Sequence, residues 1–250
     1  MLGSTSLRVA KWTGDPRLGR LTLTSLFQTS RAQVTTHATD RGPPPQSPRP
    51  PRPPQIATAT KTLRVVSNTT HSTAVLAAYF ASSSGLDAGD CYLLFGPVGA
   101  GKSHFSREFI RYAMDDAELE VPSPTFLLHN EYRNEQGGGV DVHHYDLYRL
   151  QEVNEAEYVR LDLDRSFESG VSLIEWPERL LETGNVPGER IEIEMELLLE
   201  DGVGDEESDE EVDRARQVEL RAYGQRWGDI VSTLASHVEA RGEQLGLRAS

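Results

Sequence analysis

The sequence predicts an α/β domain built around a phosphate-binding loop, and three observations predict it. Gly96-Pro-Val-Gly99-Ala100-Gly101-Lys102-Ser103 matches the whole G-x-x-x-x-G-K-[ST] pattern. The apolar run at 92–95 (YLLF) precedes it as a strand, and Phe105, Phe109, Ile110, Tyr112 and Ala113 follow at helical spacing. Strand, loop and helix in that order are what the phosphate chemistry requires. Glycines let successive backbone N–H groups turn inward around phosphate oxygens, and the helix N-terminus adds partial positive charge. Lys102 then reaches the β- and γ-phosphates, and the Ser103 hydroxyl is placed to ligate Mg²⁺.

The elements around the loop follow from pattern. Leu63, Val65 and Val66 predict a first strand, and residues 67–70 (SNTT) offer N-cap candidates for a helix through Thr73, Ala77 and Phe80. Residues 85–90 turn the chain into the loop strand. Beyond the loop helix, residues 119–121 predict a strand edge, and Pro122 and Pro124 stop any helix. Residues 126–132 read as a strand, Gly137 to Gly139 as a hairpin turn and 140–145 as the returning strand. Helical patterns cover 152–161 and 165–169, and an apolar strand at 171–174 stops on Glu175. Ile191, Ile193, Met195 and Leu197 alternate with glutamates in the period-two pattern of a half-exposed strand, with Val218 and Leu220 as its natural partners. Ile230, Leu234 and Val238 mark a last helix over 227–245.

Charge divides the chain. The first 60 residues hold 9 of the 14 prolines, 8 Lys/Arg and 2 acids. Their net charge is +6 against −14 for the whole chain, so the remainder carries −20. Residues 1 to about 40, rich in Ser, Thr and Arg, have the composition of an organelle transit peptide, and 43–54 (PPPQSPRPPRPP) reads as a polyproline II spacer. The expected organisation is a disordered targeting presequence and Pro-rich linker over 1–60, followed by one catalytic domain over 61–250. The destination is a plastid or mitochondrion, or the cytoplasm if those residues are no presequence. Residues 200–211 (EDGVGDEESDEE) carry eight acids in twelve and read as a solvated hairpin loop. The alternative is a nucleic-acid mimic for a basic partner. No apolar stretch is long enough to cross a bilayer, so no membrane partner is expected. Cys91 is the single cysteine, which excludes a disulfide framework and a Cys-based zinc site. An acidic domain does not attract a phosphate backbone by itself, so any nucleic-acid substrate must be held by another subunit.

Phosphate chemistry also needs a carboxylate for the metal and a group to orient the nucleophile. Two segments offer them: His144-Tyr-Asp146-Leu-Tyr-Arg149 and Val171-Ser-Leu-Ile-Glu175-Trp176-Pro177. Ligands of open α/β sheets gather at the C-terminal ends of strands, where Asp146 and Glu175 fall. Thr125, in Ser123-Pro-Thr-Phe126, is a switch-residue candidate or part of a Pro-bounded turn. His143 and His144, adjacent on one strand, point to opposite faces and are poor co-ligands for one metal. His144 reads as a structural hydrogen-bonding residue.

Four motifs in one order, GPVGAGKS, SPTF, HYDLYRL and LIEWPE, resemble the TsaE (YjeE) family, over about residues 65–220. The resemblance implies a single P-loop NTPase domain with a mixed β-sheet flanked by helices. It implies an ATPase with ATP and Mg²⁺ as cofactors, slow without its partners, in tRNA threonylcarbamoyladenosine biosynthesis. Those partners are a TsaD-type threonylcarbamoyltransferase and a TsaB-type subunit, with tRNA contacted only through the complex. Carried over by residue, Gly96, Gly99, Ala100, Gly101, Lys102, Ser103 and His104 bind phosphates, and Ser103, Glu175 and Asp146 serve the metal. Lys102, Asp146, Glu175 and Thr125 are the catalytic set, and Trp176 shapes the wall. The family loop reads G-D-L-G-A-G-K-T-T, so Pro97, Val98 and His104 depart from it. His104 removes a hydroxyl near the α-phosphate but keeps its backbone N–H. Adenine contacts fall near Thr69, Thr70 and Arg216. Two rivals remain: a small-molecule kinase, which residues 150–169 disfavour by lacking an Arg-rich lid, and a non-catalytic ATP-dependent adaptor.

Overall fold

Period-two alternation and continuous apolar runs in the sequence become one mixed sheet with a parallel middle. The computed structural model describes residues 34–35, 58–82, 86–133, 139–150, 154–198 and 214–250. Most of the presequence and linker at 1–60, the turn at Gly85, the glycines at 137 and 138, residues 151–153 and the acidic loop at 200–211 lie outside them. The described residues fall in one compact unit.

In chain order the strands are β1 (Val34–Thr35), β2 (Lys61–Ser67), β3 (Cys91–Phe95), β4 (His129–Tyr132), β5 (Val142–Asp146), β6 (Val171–Glu175), β7 (Arg190–Leu197), β8 (Arg216–Tyr223) and β9 (Leu247–Ala249). The helices are α1 (Thr70–Ser82), α2 (Lys102–Ala113), α3 (Glu155–Arg160), α4 (Leu163–Ser169), α5 (Glu178–Glu182) and α6 (Gln225–Leu245). The sheet runs β1-β4-β5-β6-β3-β7-β8-β2-β9. β5, β6, β3 and β7 are parallel, and every other pairing is antiparallel. β5 and β6 are buried along their whole length, as strands covered on both faces must be.

Alternation along β3 feeds two cores. Tyr92 and Leu94 join Phe80, Phe105, Phe109, Trp227 and Leu234 from α1, α2 and α6 on one face. Cys91 and Leu93 join Leu161, Leu163 and Leu180 on the other. Tyr92 anchors the first, its ring 4.8 Å from Phe109 and 5.1 Å from Trp227, both edge-on. Edge-on packing suits the ring quadrupole, and the burial of such aromatics dominates core energetics. Cys91 is buried, the packed thiol expected.

Several boundaries differ from the sequence expectation. Residues 119–121 form no strand; Leu119 and Val121 are buried in the first core, and Arg111 Nε donates to the Leu119 carbonyl (3.1 Å) instead of a neighbouring strand. The strand expected over 126–132 begins only at His129. Leu128 N bonds the Pro124 carbonyl and Leu128 takes φ 66°, closing a turn that leaves Phe126 83% exposed. The first of the two later helices shortens to α3, capped by Asn154 Oδ1, which accepts from Glu157 N at 3.0 Å. α5 and β9 had no sequence signal. β9 exists because Gly246 ends α6 in the left-handed region (φ 64°) and returns the chain against β2. Among the described residues no helix is long and apolar enough to cross a membrane.

Candidate nucleotide site

The loop between β3 and α2 is shaped from behind by β7. Gly96 has φ 129°, and a Cβ there would sit 2.1 Å from the Met195 carbonyl oxygen, so strand-to-loop passage is possible only for glycine. Gly99 has φ 81°, and a Cβ there would meet nothing within 4 Å, so no other described part of the fold covers the loop at that point. Arg216, at the start of β8, steadies the loop by donating from Nε to the Ala100 carbonyl (3.1 Å). The helix begins with Phe105 N bonding the Gly101 carbonyl (2.9 Å). The preceding N–H groups of Gly101, Lys102, Ser103 and His104 have no intrahelical acceptor and form the first turn that anions seek.

Lys102 is buried, and its ammonium donates to the Gly96 (2.6 Å) and Pro97 (2.8 Å) carbonyls. It also lies 3.9 Å from the centroid of the Trp176 ring. Burial holds its pKa below the ordinary lysine value, resisted by the charges of Glu175, Glu178 and Asp146. Trp176 follows β6 with φ 60°, a left-handed backbone that costs an L-residue about 1 kcal/mol. Tyr148 packs against it at 4.8 Å. The strained residue turns its indole over the loop lysine, and strain of this kind concentrates at functional sites.

Parallel pairing brings the acids together. Glu175 on β6 is in register with Asp146 on β5 and with Leu94 on β3, so all three strand ends open on the loop. Glu175 accepts from Ser103 Oγ (2.7 Å) at Oε2, and from Ser106 Oγ (3.0 Å) and His144 Nε2 (2.8 Å) at Oε1. Burial pushes its pKa up, but the His144 contact and the two hydroxyls outweigh that and hold it below the usual glutamate value. Asp146 Oδ2 accepts from Thr125 Oγ1 (2.6 Å) and Ser123 Oγ (3.1 Å), and its Oδ1 accepts from Tyr148 N (3.0 Å).

The structure thus joins Lys102, Ser103 and Glu175 at the loop, and Thr125 to Asp146 on the adjoining strand end. His104 contributes only its backbone on the loop side, because its ring turns to the Thr70 carbonyl (3.0 Å) at the start of α1. His143 and His144 do face opposite ways: His143 Nδ1 pairs with His129 Nε2 (3.1 Å), while His144 serves Glu175. Two partners escaped the sequence reading. Ser106 stands at i+3 from Ser103 on one helix face, a spacing that could have flagged it. Ser123 lies inside the switch segment itself. The Lys102–Trp176 contact had no sequence signal. Among the described residues no group of three or more His, Cys, Asp or Glu side chains could hold a metal ion. The donor set that is present, a hydroxyl beside a buried carboxylate at a phosphate loop, fits Mg²⁺, which takes one or two carboxylates and completes its shell with phosphate oxygens and water.

Comparison with known proteins gives the same picture. The model of the family described as threonylcarbamoyl adenosine biosynthesis protein TsaE matches residues 67–201. The tRNA threonylcarbamoyladenosine biosynthesis protein TsaE of Mycobacterium tuberculosis is 41% identical over 101 residues, 39% of this chain and 59% of that protein. The chain therefore spans less than two thirds of that relative. The Bacillus subtilis protein of the same name is 31% identical over 60% of this chain and 80% of its own, and the Streptomyces coelicolor one 34% over 60% and 92%. The crystal structure of Bacillus subtilis YdiB superposes with a TM-score of 0.51 at 22% identity, covering 71% of this chain and 96% of that one, a likeness of fold. The matched span runs from the end of β2 past β7 and encloses the loop, both acids and the switch segment, and on that ground the chain belongs to the TsaE family, with a P-loop NTPase fold.

Proposed function

We propose that this protein is the ATP-binding and ATP-hydrolysing subunit that supports threonylcarbamoyl transfer to adenosine in tRNA, active with a TsaD-type transferase. The observation that carries the ATPase reading is the 2.7 Å bond from Ser103 Oγ to Glu175. It sets a buried strand-end carboxylate against the loop hydroxyl, the pair that holds Mg²⁺ in P-loop NTPases. The N–H groups at the start of α2 cradle the phosphates of ATP. Lys102 exchanges the Gly96 and Pro97 carbonyls for phosphate oxygens, and Trp176 guides its ammonium. Ser103 and Glu175 would hold Mg²⁺, which would supply neutralisation of the charge on the transferring phosphoryl group. Asp146, anchored by Thr125 and Ser123, orients the attacking water. The strongly acidic composition beyond residue 60 supports leaving the tRNA to the partner subunits.

The test is free-phosphate release by the full chain with and without its TsaD-type partner. Lys102→Ala is expected to abolish partner-supported hydrolysis; hydrolysis that survives it sinks the enzymatic reading in favour of an adaptor. Label appearing on a second substrate instead of as free phosphate would mean a kinase. The same proposal assigns residues 1–60 as an organelle presequence, so their fusion to a fluorescent protein should enter a plastid or mitochondrion. Diffuse cytosolic signal overturns that part alone.

A further inference from the structure

On the nucleotide reading proposed above, we infer that His144 is a positioning residue that fixes which oxygen of Glu175 meets the divalent cation, and so favours Mg²⁺ over larger cations. Glu175 and His144 are each 1% exposed on the side chain. At Oε1 the carboxylate has two neighbouring donors, His144 Nε2 at 2.8 Å and Ser106 Oγ at 3.0 Å. Ser106 has one proton and a second acceptor within reach, the Lys102 carbonyl at 3.1 Å. His144 is therefore the uncontested donor to Oε1. Oε2 is left to face Ser103 alone.

The placement of the ring supports the same conclusion. Nδ1 of His144 is buried without a hydrogen-bond partner. Buried polar atoms are nearly always satisfied, so an orphaned ring nitrogen calls for an explanation. A leucine would fill the space without that orphan; what only the imidazole supplies is the Nε2–H aimed at Glu175. β5 sets the aim, since His144 is paired with Leu173 on β6, two residues before Glu175 on the same face. On its other side His144 faces Asn130, whose Nδ2 donates to the Pro122 carbonyl (3.2 Å) at the head of the switch segment. A carboxylate pinned at one oxygen offers a metal one oxygen. That suits the strict octahedron of Mg²⁺, whereas Ca²⁺ accepts bidentate carboxylates and irregular shells. Releasing Oε1 frees the carboxylate to turn, which penalises Mg²⁺ more than Ca²⁺.

The experiment uses the full chain and variants His144→Leu, His144→Gln and His144→Asn. A fluorescent ATP analogue is titrated in EDTA, and Mn²⁺ binding to the protein–ATP complex is followed by electron paramagnetic resonance, with Mg²⁺ and Ca²⁺ as competitors. Nucleotide affinity in EDTA should stay within about twofold in every variant, while His144→Leu lowers Mn²⁺ and Mg²⁺ affinity about tenfold or more and Ca²⁺ affinity less than about threefold, the scale of losing a partner that orients a metal ligand. His144→Gln keeps an N–H donor and should recover most of the Mg²⁺ affinity. Unchanged metal affinities in His144→Leu, an equal loss for Mg²⁺ and Ca²⁺, or a Gln variant as weak as the Leu variant each overturn the inference. If His144→Leu does not fold, His144→Asn decides in its place, since its shorter amide leaves Oε1 without the Nε2–H donor: a larger loss of Mg²⁺ than of Ca²⁺ affinity supports the pinned carboxylate, and an equal loss or none overturns it. A wild-type chain that binds no ATP analogue defeats the nucleotide reading instead, which is a separate result.

Discussion

Replacing Glu175 by alanine takes one acceptor from three donors, and their environments set the cost. Ser103 is partly exposed and rehydrates. Ser106 turns to the Lys102 carbonyl, already 3.1 Å away. His144 can do neither: it is buried and would have both ring nitrogens unpaired. An unsatisfied buried donor costs about 1–3 kcal/mol, and the one lost methylene about 0.8 kcal/mol. Removing the charge relieves no strain, because the fold holds the Glu175 pKa below its usual value and so favours the carboxylate over the protonated acid. The sum is about 3 kcal/mol, or about 6–12 °C in Tm for a domain of this size. Calorimetric melts of the full chain at pH 7 measure it, with Glu175→Gln, which keeps an acceptor for His144, losing less than half as much. A Tm lowered by under about 2 °C in the alanine variant would refute the three-donor network.

Other outcomes follow from the same geometry. Gly96→Ala must displace β3 from the Met195 carbonyl 2.1 Å away and should cost about 1–3 kcal/mol, together with nucleotide binding. Gly99→Ala meets no neighbour, so it should cost only about 1 kcal/mol, the strain of φ 81°, while still weakening phosphate binding; equal destabilisation of the two variants in urea melts would contradict the loop geometry. Acid should destabilise the protein through His129, whose pKa burial lowers from 6.5 to about 4. The unfolded chain then takes up that proton first, so stability is lost as pH falls from about 6.5 towards 4, by up to about 2 kcal/mol at pH 5. His129→Gln should flatten urea-measured stability between pH 7 and 5, and an unchanged slope would count against the assignment.

How much of this was written in the sequence depends on how far apart the interacting residues lie. β3, the loop and α2 were legible because one continuous segment supplies the strand, the glycines and the helix N-terminus. β7 and β8 were legible from alternation. The segment 126–128 was misread as strand because its apolar residues suggested burial, whereas the Pro124–Leu128 turn exposes Phe126. Residues 119–121 were misread for the opposite reason: Leu119 and Val121 are buried, but no strand lies beside them to complete a ladder.

The sequence alone determined that a phosphate loop exists, that two strand-terminal acids accompany it, and which family the order of motifs resembles. These are properties of residues near one another in the chain, where covalent geometry leaves few alternatives. Only the tertiary structure decided that Asp146 and Glu175 stand in register, that His144 and Ser106 share the far oxygen of Glu175, and that Trp176 covers Lys102. Those contacts cross from strand to strand and from strand to helix. A slip of one residue in β5 or β6 would turn His144 or Glu175 to the opposite face of the sheet, and the register that prevents it is fixed by the two cores packed against both faces.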